Sequence, residues 1–300
     1  MESWRAVMSS PMAALWQNRP VGVVGLGLIG GSLGLDLQAA GAEVRGWVHR
    51  EQTAARARER GLAQAVSTSP EVLAGCGLVI LALPLDQLMA PDPALVSAIP
   101  AGAVVTDVGS VKAPVLAVWD QLTPRFVGGH PMAGTAQAGV EAGQRGLFQG
   151  RPWVTTPAAR TDPEALAAVR ELAEVVGSQP LSCQAEAHDR AVALISHLPV
   201  LVSAALLEAA DQGAAAEEQG LVRALASSGF ADTTRVGGGN PRLGTLMCRW
   251  NRQAVLSALS HYQRQLDTLM TVVAAEDWPA LAATLEHAQQ IRPPFLKPPG

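Results

Sequence analysis

A glycine-rich turn near the start of the chain constrains the fold more than any other feature. Residues 25–30 read GLGLIG, the pattern GxGxxG, between an apolar run at 21–24 and a helical pattern at 32–40. In a strand–turn–helix unit the first glycine permits the tight turn, the second lets the backbone approach a pyrophosphate, and the third lets the helix pack on its strand. The helix N terminus then offers N–H groups to the phosphates. We therefore predict a dinucleotide-binding turn, with contacts from Gly25, Gly27, Leu28, Ile29 and Gly30.

Downstream of this turn, short β-branched runs alternate with helical patterns as far as residue 184. The runs predict strands at residues 44–48, 78–82, 103–106, 126–128, 153–155 and 180–182. Helices are predicted between them, for example at 53–60 and 163–176. Such alternation is typical of a doubly wound α/β fold. We therefore predict an α/β domain over residues 20–184.

The pattern changes near Ala185. From there to residue 288 the β signal is weak, and apolar residues recur at helical spacing, for example over 191–198. The sequence GGGNP at 237–241 predicts a turn between helices. We predict an all-helical second domain over 185–288, an N-terminal extension over 1–19, and a frayed proline-rich tail over 289–300.

Composition and charge narrow the class of protein. The chain has 300 residues, of which 22 are basic and 26 acidic, and its net charge of −4 argues against nucleic-acid binding. Its three cysteines have no motif spacing, so we expect no disulfide or cysteine zinc site and a cytoplasmic location. The histidines and acids do not group at metal-ligand spacing, so we expect no metal. The uncharged run 21–35 is too short for a membrane span.

The residues after the second predicted strand bear on the choice of coenzyme. NAD enzymes usually have an acidic residue there to hold the ribose hydroxyls, whereas this strand ends in His49 and Arg50. An arginine can bind the 2′-phosphate of NADP through paired hydrogen bonds. We predict NADP, with His49, Arg50, Thr53 and also Pro84 as contacts. The alternatives are that Glu51 takes the strand tip or that Arg50 is a solvated surface charge.

His130 has an unusual local sequence, in which a predicted strand and two glycines precede the histidine. This position lies at the carboxyl edge of the predicted sheet, where ligands bind in open α/β domains. A histidine near a nicotinamide can accept a hydroxyl proton as hydride leaves the adjoining carbon. Ser110 follows the preceding strand at the same edge, and we expect it to hydrogen-bond His130 or the substrate hydroxyl.

Three further residues have both a functional and a structural interpretation. His188 and His197 lie in helical patterns, where a histidine is more often structural, but either could contact a substrate. Arg235 precedes the GGGNP turn, where an arginine is usually a surface charge but could clamp a carboxylate. From local sequence alone these alternatives stay open.

Five segments together resemble the prephenate/arogenate dehydrogenase family. They are VGVVGLGLIGGSL (21–33), DVGSVK (107–112), GGHPMAGT (128–135), HDRAVALISHLP (188–199) and SSGFADTTRVGGGNP (227–241). The resemblance implies an N-terminal Rossmann-like domain, a C-terminal helical dimerisation domain and a homodimer. It also implies oxidative decarboxylation of a small cyclohexadienyl substrate in tyrosine biosynthesis.

The resemblance implies roles for the candidate residues. His130 would accept the proton of the ring 4-hydroxyl while hydride passes from C4 to the nicotinamide, and Ser110 would orient that hydroxyl and the imidazole. Arg235 would bind the ring carboxylate, and His197 and Thr135 would contact the substrate. His188 is a further candidate substrate contact, with a structural role as its alternative.

One departure from the family pattern predicts the substrate. Prephenate-preferring relatives often follow SHLP with a second histidine that reads the keto acid, and this chain has Val200 there. We therefore expect arogenate, with prephenate as the alternative. Two other classes are less favoured. β-Hydroxyacid dehydrogenases use a lysine on a helix of the second domain, whereas the lysines here are Lys112 and Lys297. A dinucleotide sensor without turnover would leave the His130 and Arg235 segments unexplained.

Overall fold

The chain divides into two units, Met1–Asp189 and Arg190–Gly300, in a computed structural model that describes residues 19–135 and 137–296. The division falls five residues beyond the boundary predicted at 184. The first unit is α/β, and the second is helical throughout its described residues. The predicted fold class is therefore confirmed.

One mixed sheet organises the first unit. Within the described residues its spatial order is β3-β2-β1-β4-β5-β6-β7-β8. The first six strands pair in parallel, in the order of a doubly wound dinucleotide-binding sheet. β7 pairs antiparallel with β6, so β7 and β8 run opposite to the other strands. The strands are β1 Val21–Val24, β2 Val44–Trp47, β3 Ala65–Ser67, β4 Leu78–Leu81, β5 Val104–Asp107, β6 Phe126–Pro131, β7 Pro152–Thr156 and β8 Gln179–Ser182.

Helices connect these strands, and several begin at a residue that suits a helix start. Asp162 caps α6 by accepting a hydrogen bond from the Glu164 N–H at 2.9 Å, and proline follows at the first helical position. Apart from Glu171, the buried residues of α6 are apolar, and they join the main core under the sheet. The helices of this unit are α1 Leu28–Ala39, α2 Glu51–Glu59, α3 Leu85–Met89, α4 Pro93–Ala98, α5 Ala113–Leu122 and α6 Pro163–Val175, followed by α7 Ala185–Val192, within which the division falls.

The second unit has a small core of its own, formed by Ala193, Val255 and Ala258 with partly buried neighbours. The predicted turn at 237–241 lies between two helices. The predicted tail is wrong over its described part, because α13 continues helically through Pro293 and Pro294 to Leu296. After a π-helical segment, Ala193–His197, the helices are α8 Leu198–Gln212, α9 Gln219–Leu225, α10 Ser228–Thr234, α11 Pro241–Trp250, α12 Arg252–Ala274 and α13 Trp278–Leu296.

Long apolar helix faces of the second unit are exposed. None of the residues of α13 is buried, although Ile291, Phe295 and Leu296 are large and apolar. The helical run Ala185–Gln212 is, by length and composition alone, apolar enough to cross a membrane, and only 22% of its most apolar stretch is buried. The uncharged run 21–35 forms β1, the glycine turn and the start of α1.

Candidate active site

The glycine turn has the geometry that a pyrophosphate site requires. Gly25 has a φ of +90°, and a Cβ atom there would lie 2.4 Å from the carbonyl oxygen of Ala82. A Cβ at Gly30 would lie 1.9 Å from the carbonyl oxygen of Gly25, so the third glycine allows the helix to pack closely. A Cβ at Gly27 would meet no atom within 4 Å. Gly27 is also the N-cap of α1 and supplies no capping side chain. The open approach and the uncapped N terminus, where Leu28 and Ile29 begin the helix, fit a dinucleotide phosphate.

The ends of β2 and β4 border a cavity of about 220 Å³ next to this turn. Its wall includes Trp47 and His49, whose ring centroids lie 5.3 Å apart. Arg50 is exposed at the N-cap of α2, in which Thr53 occupies the first turn. Pro84 is the N-cap of α3, after β4. The other lining residues are Leu83, Gln87, Ala90, Asp92 and Leu95.

Glu51, the residue that could have taken the strand tip, is bound elsewhere. Its carboxylate pairs with the guanidinium of Arg58, two turns further along α2, at 2.7 Å. Among the described residues, Arg50 is the basic group at the end of β2 that forms no ion pair within the chain. The charge presented at this end of the strand is therefore positive.

His130 lies near the carboxyl end of β6, where it pairs with Val154 of β7 and is 8% exposed. The glycines before it allow close packing, because a Cβ at Gly129 would lie 2.6 Å from the carbonyl oxygen of Asp107. His130 Nδ1 lies 2.8 Å from Nε2 of His188. His188 therefore lies against His130, and its predicted contact with the substrate stays a prediction.

Asp189 continues this chain of hydrogen bonds. Its Oδ1 lies 2.8 Å from Nδ1 of His188 and accepts a hydrogen bond from the Lys112 backbone N–H at 2.7 Å. Its Oδ2 accepts from the Ala113 N–H at 2.8 Å, at the start of α5. A carboxylate is favoured at a helix N terminus. Asp189, His188 and His130 thus form one buried row that joins α5, α7 and β6.

A buried ion pair lies beside this row. The Lys112 ammonium pairs with the Asp107 carboxylate, and both side chains are fully buried. Lys112 Nζ also donates to the carbonyl oxygen of Gly129 at 2.7 Å, while Asp107 accepts from the Gly129 N–H at 3.0 Å. Burial lowers the pKa of Lys112, and the Asp107 carboxylate opposes that shift. The pair therefore holds both polar groups of the residue that precedes His130.

Ser110 was predicted to hydrogen-bond either His130 or the substrate hydroxyl, and the structure does not show the bond with His130. Its Oγ is buried and has no hydrogen-bond partner among the residues that the structure describes. Nδ1 of His130 is bound by His188. A buried hydroxyl without a partner is costly, and a bound substrate hydroxyl would satisfy it.

The remaining predicted residues are Thr135 in the first unit and His197 and Arg235 in the second. Thr135 is exposed, and its hydroxyl accepts from the Gln137 N–H at 3.2 Å. In the second unit, His197 is buried, and its Nδ1 lies 3.2 Å from the Asn251 side-chain nitrogen. Arg235 is exposed at the end of α10. These positions leave the predicted substrate contacts of Thr135, His197 and Arg235 as predictions.

The segment that follows Arg235 is anchored to α8. The buried hydroxyl of Ser203 accepts a hydrogen bond from the Gly237 N–H at 2.8 Å. A Cβ at Gly237 would lie 2.5 Å from the backbone nitrogen of Ala204, so only glycine allows this approach. The position of Arg235 therefore depends on contacts two residues away.

The residues that hydrogen-bond the candidate side chains or their neighbouring backbone were not predicted as site residues from the sequence. Asp107 and Lys112 were noticed only as parts of a motif, and Asp189, Ser203 and Asn251 were not singled out. The adjacent histidine and aspartate at 188–189 were the one sequence signal for such supporting residues. Their adjacency does not show which partner each side chain binds.

The fold and the site define a class, the dinucleotide-dependent dehydrogenases with a helical second domain. Residues 33–181 match the family model described as prephenate dehydrogenase, nucleotide-binding domain. Residues 184–287 match the model described as prephenate dehydrogenase, dimerization domain. The chain therefore belongs to the prephenate/arogenate dehydrogenase family, an assignment that the sequence motifs predicted.

Relatives along nearly the whole chain agree with this assignment. The crystal structure of Synechocystis arogenate dehydrogenase is 40% identical with a TM-score of 0.79, covering 92% of this chain and all of that one. Prephenate dehydrogenase from A. aeolicus, in complex with hydroxyphenyl propionate and NAD+, is 28% identical with a TM-score of 0.86, over 91% of this chain and 97% of that one. Cyclohexadienyl dehydrogenase of Zymomonas mobilis is 30% identical, over 91% of this chain and 94% of that protein. The chain is an enzyme of oxidative decarboxylation in tyrosine biosynthesis.

Proposed function

We propose that the enzyme converts arogenate to tyrosine with NADP and that His130 is the base. The observation that carries the proposal is the position of His130, at the carboxyl edge of the sheet with Nδ1 bound by His188. His130 would act on a substrate hydroxyl through its other ring nitrogen, Nε2. General-base catalysis of this kind contributes about 10²- to 10⁴-fold in rate.

The chemistry requires a proton acceptor and a hydride acceptor on the same carbon. The bound coenzyme supplies the hydride acceptor, and the glycine turn with the α1 N terminus would hold its pyrophosphate. His130 takes the proton of the ring 4-hydroxyl as the C4–H bond breaks. The ring carboxylate then leaves as CO₂, and its bonding electrons complete the aromatic ring. The C4 oxygen becomes a phenolate and regains the proton from His130. Ser110 Oγ, which is buried without a partner, would donate to or accept from the reacting hydroxyl.

NADP is supported by the charges at the end of β2. Arg50 is exposed there, and the competing carboxylate of Glu51 is paired with Arg58. A 2′-phosphate would gain a charge-assisted hydrogen bond from Arg50 and meet no unpaired acid. His49 and Thr53 lie on either side of Arg50 in the chain and would complete the phosphate site.

Arogenate is supported by the residue that follows the SHLP sequence. Val200 lies in the first turn of α8, and its Cγ1 would be 3.6 Å from a Cβ at Gly244. An aliphatic side chain cannot donate a hydrogen bond to a keto acid, so nothing at this position favours prephenate. Arg235 would bind the ring carboxylate that both substrates share.

A homodimer is supported by the exposed apolar faces of the second unit. α13 has no buried residue, and a groove of about 820 Å³ between α8, α9 and α10 is lined by Leu207, Val222 and Phe230 among others. Apolar surface of this extent on helices marks an association surface. Sedimentation at micromolar concentration should give twice the chain mass, and a monomer would contradict this part of the proposal.

The direct test is an initial-rate matrix with arogenate or prephenate, each with NADP or NAD, followed by reduced-coenzyme absorbance. The proposal predicts the highest kcat/KM for arogenate with NADP. A higher value with prephenate would overturn the Val200 argument, and a higher value with NAD would overturn the Arg50 argument. Absence of turnover in all four combinations, with NADP bound, would overturn the proposed function.

A further inference from the structure

We propose that His188 and Asp189 form a proton relay behind His130, in which Asp189 fixes the hydrogen positions and His188 shares the proton that His130 takes up. The inference rests on the proposed function, because it assumes that His130 is the base. Neither His188 nor Asp189 needs to touch the substrate, so both act through His130.

The row of hydrogen bonds determines which ring nitrogens carry hydrogen. Asp189 Oδ1 is an acceptor, so the 2.8 Å contact with His188 requires a hydrogen on His188 Nδ1. A neutral His188 then has its lone pair on Nε2, and the 2.8 Å contact with His130 requires a hydrogen on His130 Nδ1. The lone pair of neutral His130 is therefore on Nε2. This tautomer is the one that can accept a proton from a substrate hydroxyl.

The same row of hydrogen bonds also provides a second proton acceptor, His188. When Nε2 of His130 takes the hydroxyl proton, the Nδ1 hydrogen can move 2.8 Å to Nε2 of His188. His130 is then neutral again, and His188 is an imidazolium hydrogen-bonded to the Asp189 carboxylate. The net transfer is one proton from the substrate hydroxyl to the histidine pair. When CO₂ leaves and the C4 oxygen becomes a phenolate, the two steps reverse and Nε2 of His130 returns the proton to that oxygen.

Burial strengthens the electrostatic interaction of the Asp189 carboxylate with His188. His188 is 3% exposed and Asp189 is 5% exposed, so water screens their interaction little. Two backbone N–H groups at the start of α5 hold the carboxylate in place. Among the described residues, titratable groups that interact with Asp189 are Lys112, which is paired with Asp107, and the thiol of Cys183. Burial and the Asp189 carboxylate raise the pKa of that thiol, which favours its neutral form.

Two substitutions separate the relay from a purely structural role. Asp189→Asn removes the charge but can keep an oxygen where His188 and the Lys112 N–H donate. His188→Gln can accept a hydrogen bond from His130 Nδ1 but cannot be protonated. Matched controls are Asp162→Asn, which alters another helix-capping carboxylate, and His261→Gln, which alters an exposed histidine bonded to Ser257.

The measurements are kcat and KM across pH, with coenzyme binding by fluorescence titration and thermal unfolding as checks. We expect both relay variants to lower kcat about 10- to 100-fold, less than loss of the base itself. We also expect the acid limb of kcat/KM to move to lower pH, because a protonated histidine pair without the Asp189 charge, or with glutamine in place of His188, is less stable. The two control variants should match the wild type in kcat and in the position of the acid limb.

The outcomes distinguish this inference from the proposed function. If His188→Gln keeps the wild-type kcat and acid limb while His130→Asn is inactive, the relay is refuted and the base assignment stands. If His130→Asn itself keeps its turnover, His130 is not the base, and both that part of the proposed function and the relay are refuted. Should Asp189→Asn fail to fold, His188→Gln alone still decides the question.

Discussion

Removal of the Lys112 ammonium should destabilise the first unit strongly, because it leaves a buried carboxylate without its cation. Lys112→Met keeps an unbranched side chain of similar length, so the cavity term is small. Asp107 would retain hydrogen bonds from the Gly109 and Gly129 N–H groups, at 2.8 and 3.0 Å, but no positive charge. Breaking a buried ion pair from one side costs about 3–5 kcal/mol.

A second substitution tests whether the uncompensated charge is the cause. Lys112→Met with Asp107→Asn removes both charges and leaves an amide oxygen for the Gly129 N–H. Replacement of a whole buried pair by neutral groups is often close to neutral in stability. We therefore expect the double variant to recover at least about half of the loss.

Urea denaturation followed by tryptophan fluorescence measures these free energies, since Trp119 and Trp153 are fully buried in the first unit. Coenzyme should be left out, because binding stabilises the folded state in proportion to its concentration. A Lys112→Met variant within about 1 kcal/mol of the wild type would refute the reasoning, as would a double variant less stable than the single one.

Four further predictions concern separate parts of the molecule. Arg235→Ala should raise KM for arogenate roughly 10- to 150-fold, as expected for loss of a charge-assisted contact of about 1.5–3 kcal/mol, and an unchanged KM would exclude it as the carboxylate clamp. Arg50→Glu should reverse the preference between NADP and NAD in kcat/KM, and retained NADP selectivity would exclude Arg50. Gly237→Ala should lower kcat/KM about 10- to 100-fold through KM, because its Cβ displaces the segment after Arg235 from α8; calorimetric coenzyme binding should stay at the wild-type value. Burial raises the pKa of Asp36, so its ionised form opposes folding at high pH and this penalty disappears as the pH falls. Asp36→Asn should therefore raise the thermal midpoint relative to wild type more at pH 7 than at pH 3. An equal difference at the two pH values would contradict this direction.

The parts of the fold that were predicted from sequence are those with a strong local signal. The runs at β1 and β4 have no polar side chain, and every residue of β1, β4 and β5 is buried, because both faces of the sheet are covered there. The three-residue β3 was missed, since its pattern is too short to stand out from a loop. The reversal of β7 was missed because strand direction depends on pairing with β6, which no local pattern records.

In the candidate site too, features with a local sequence signal were predicted and long-range contacts were not. The glycine turn was predicted because each glycine answers a local requirement of backbone geometry. Ser110 was expected to hydrogen-bond His130 or the substrate hydroxyl, because Ser110 and His130 were predicted at one edge of the sheet. The structure shows that His188, 58 residues further along the chain, binds Nδ1 of His130. Long-range partners of this kind are set by the packing of α7 on the sheet edge and are invisible in a single sequence.

The central claim is that His130 accepts the proton of the ring hydroxyl. The most direct measurement is kcat for His130→Asn with arogenate and NADP, beside His261→Asn as a histidine substitution far from the sheet edge. The account predicts a folded variant that binds NADP normally and loses about 10²- to 10⁴-fold in kcat, while the control stays at the wild-type rate. A His130→Asn variant that keeps most of its turnover would contradict the account, because another group would then be the base.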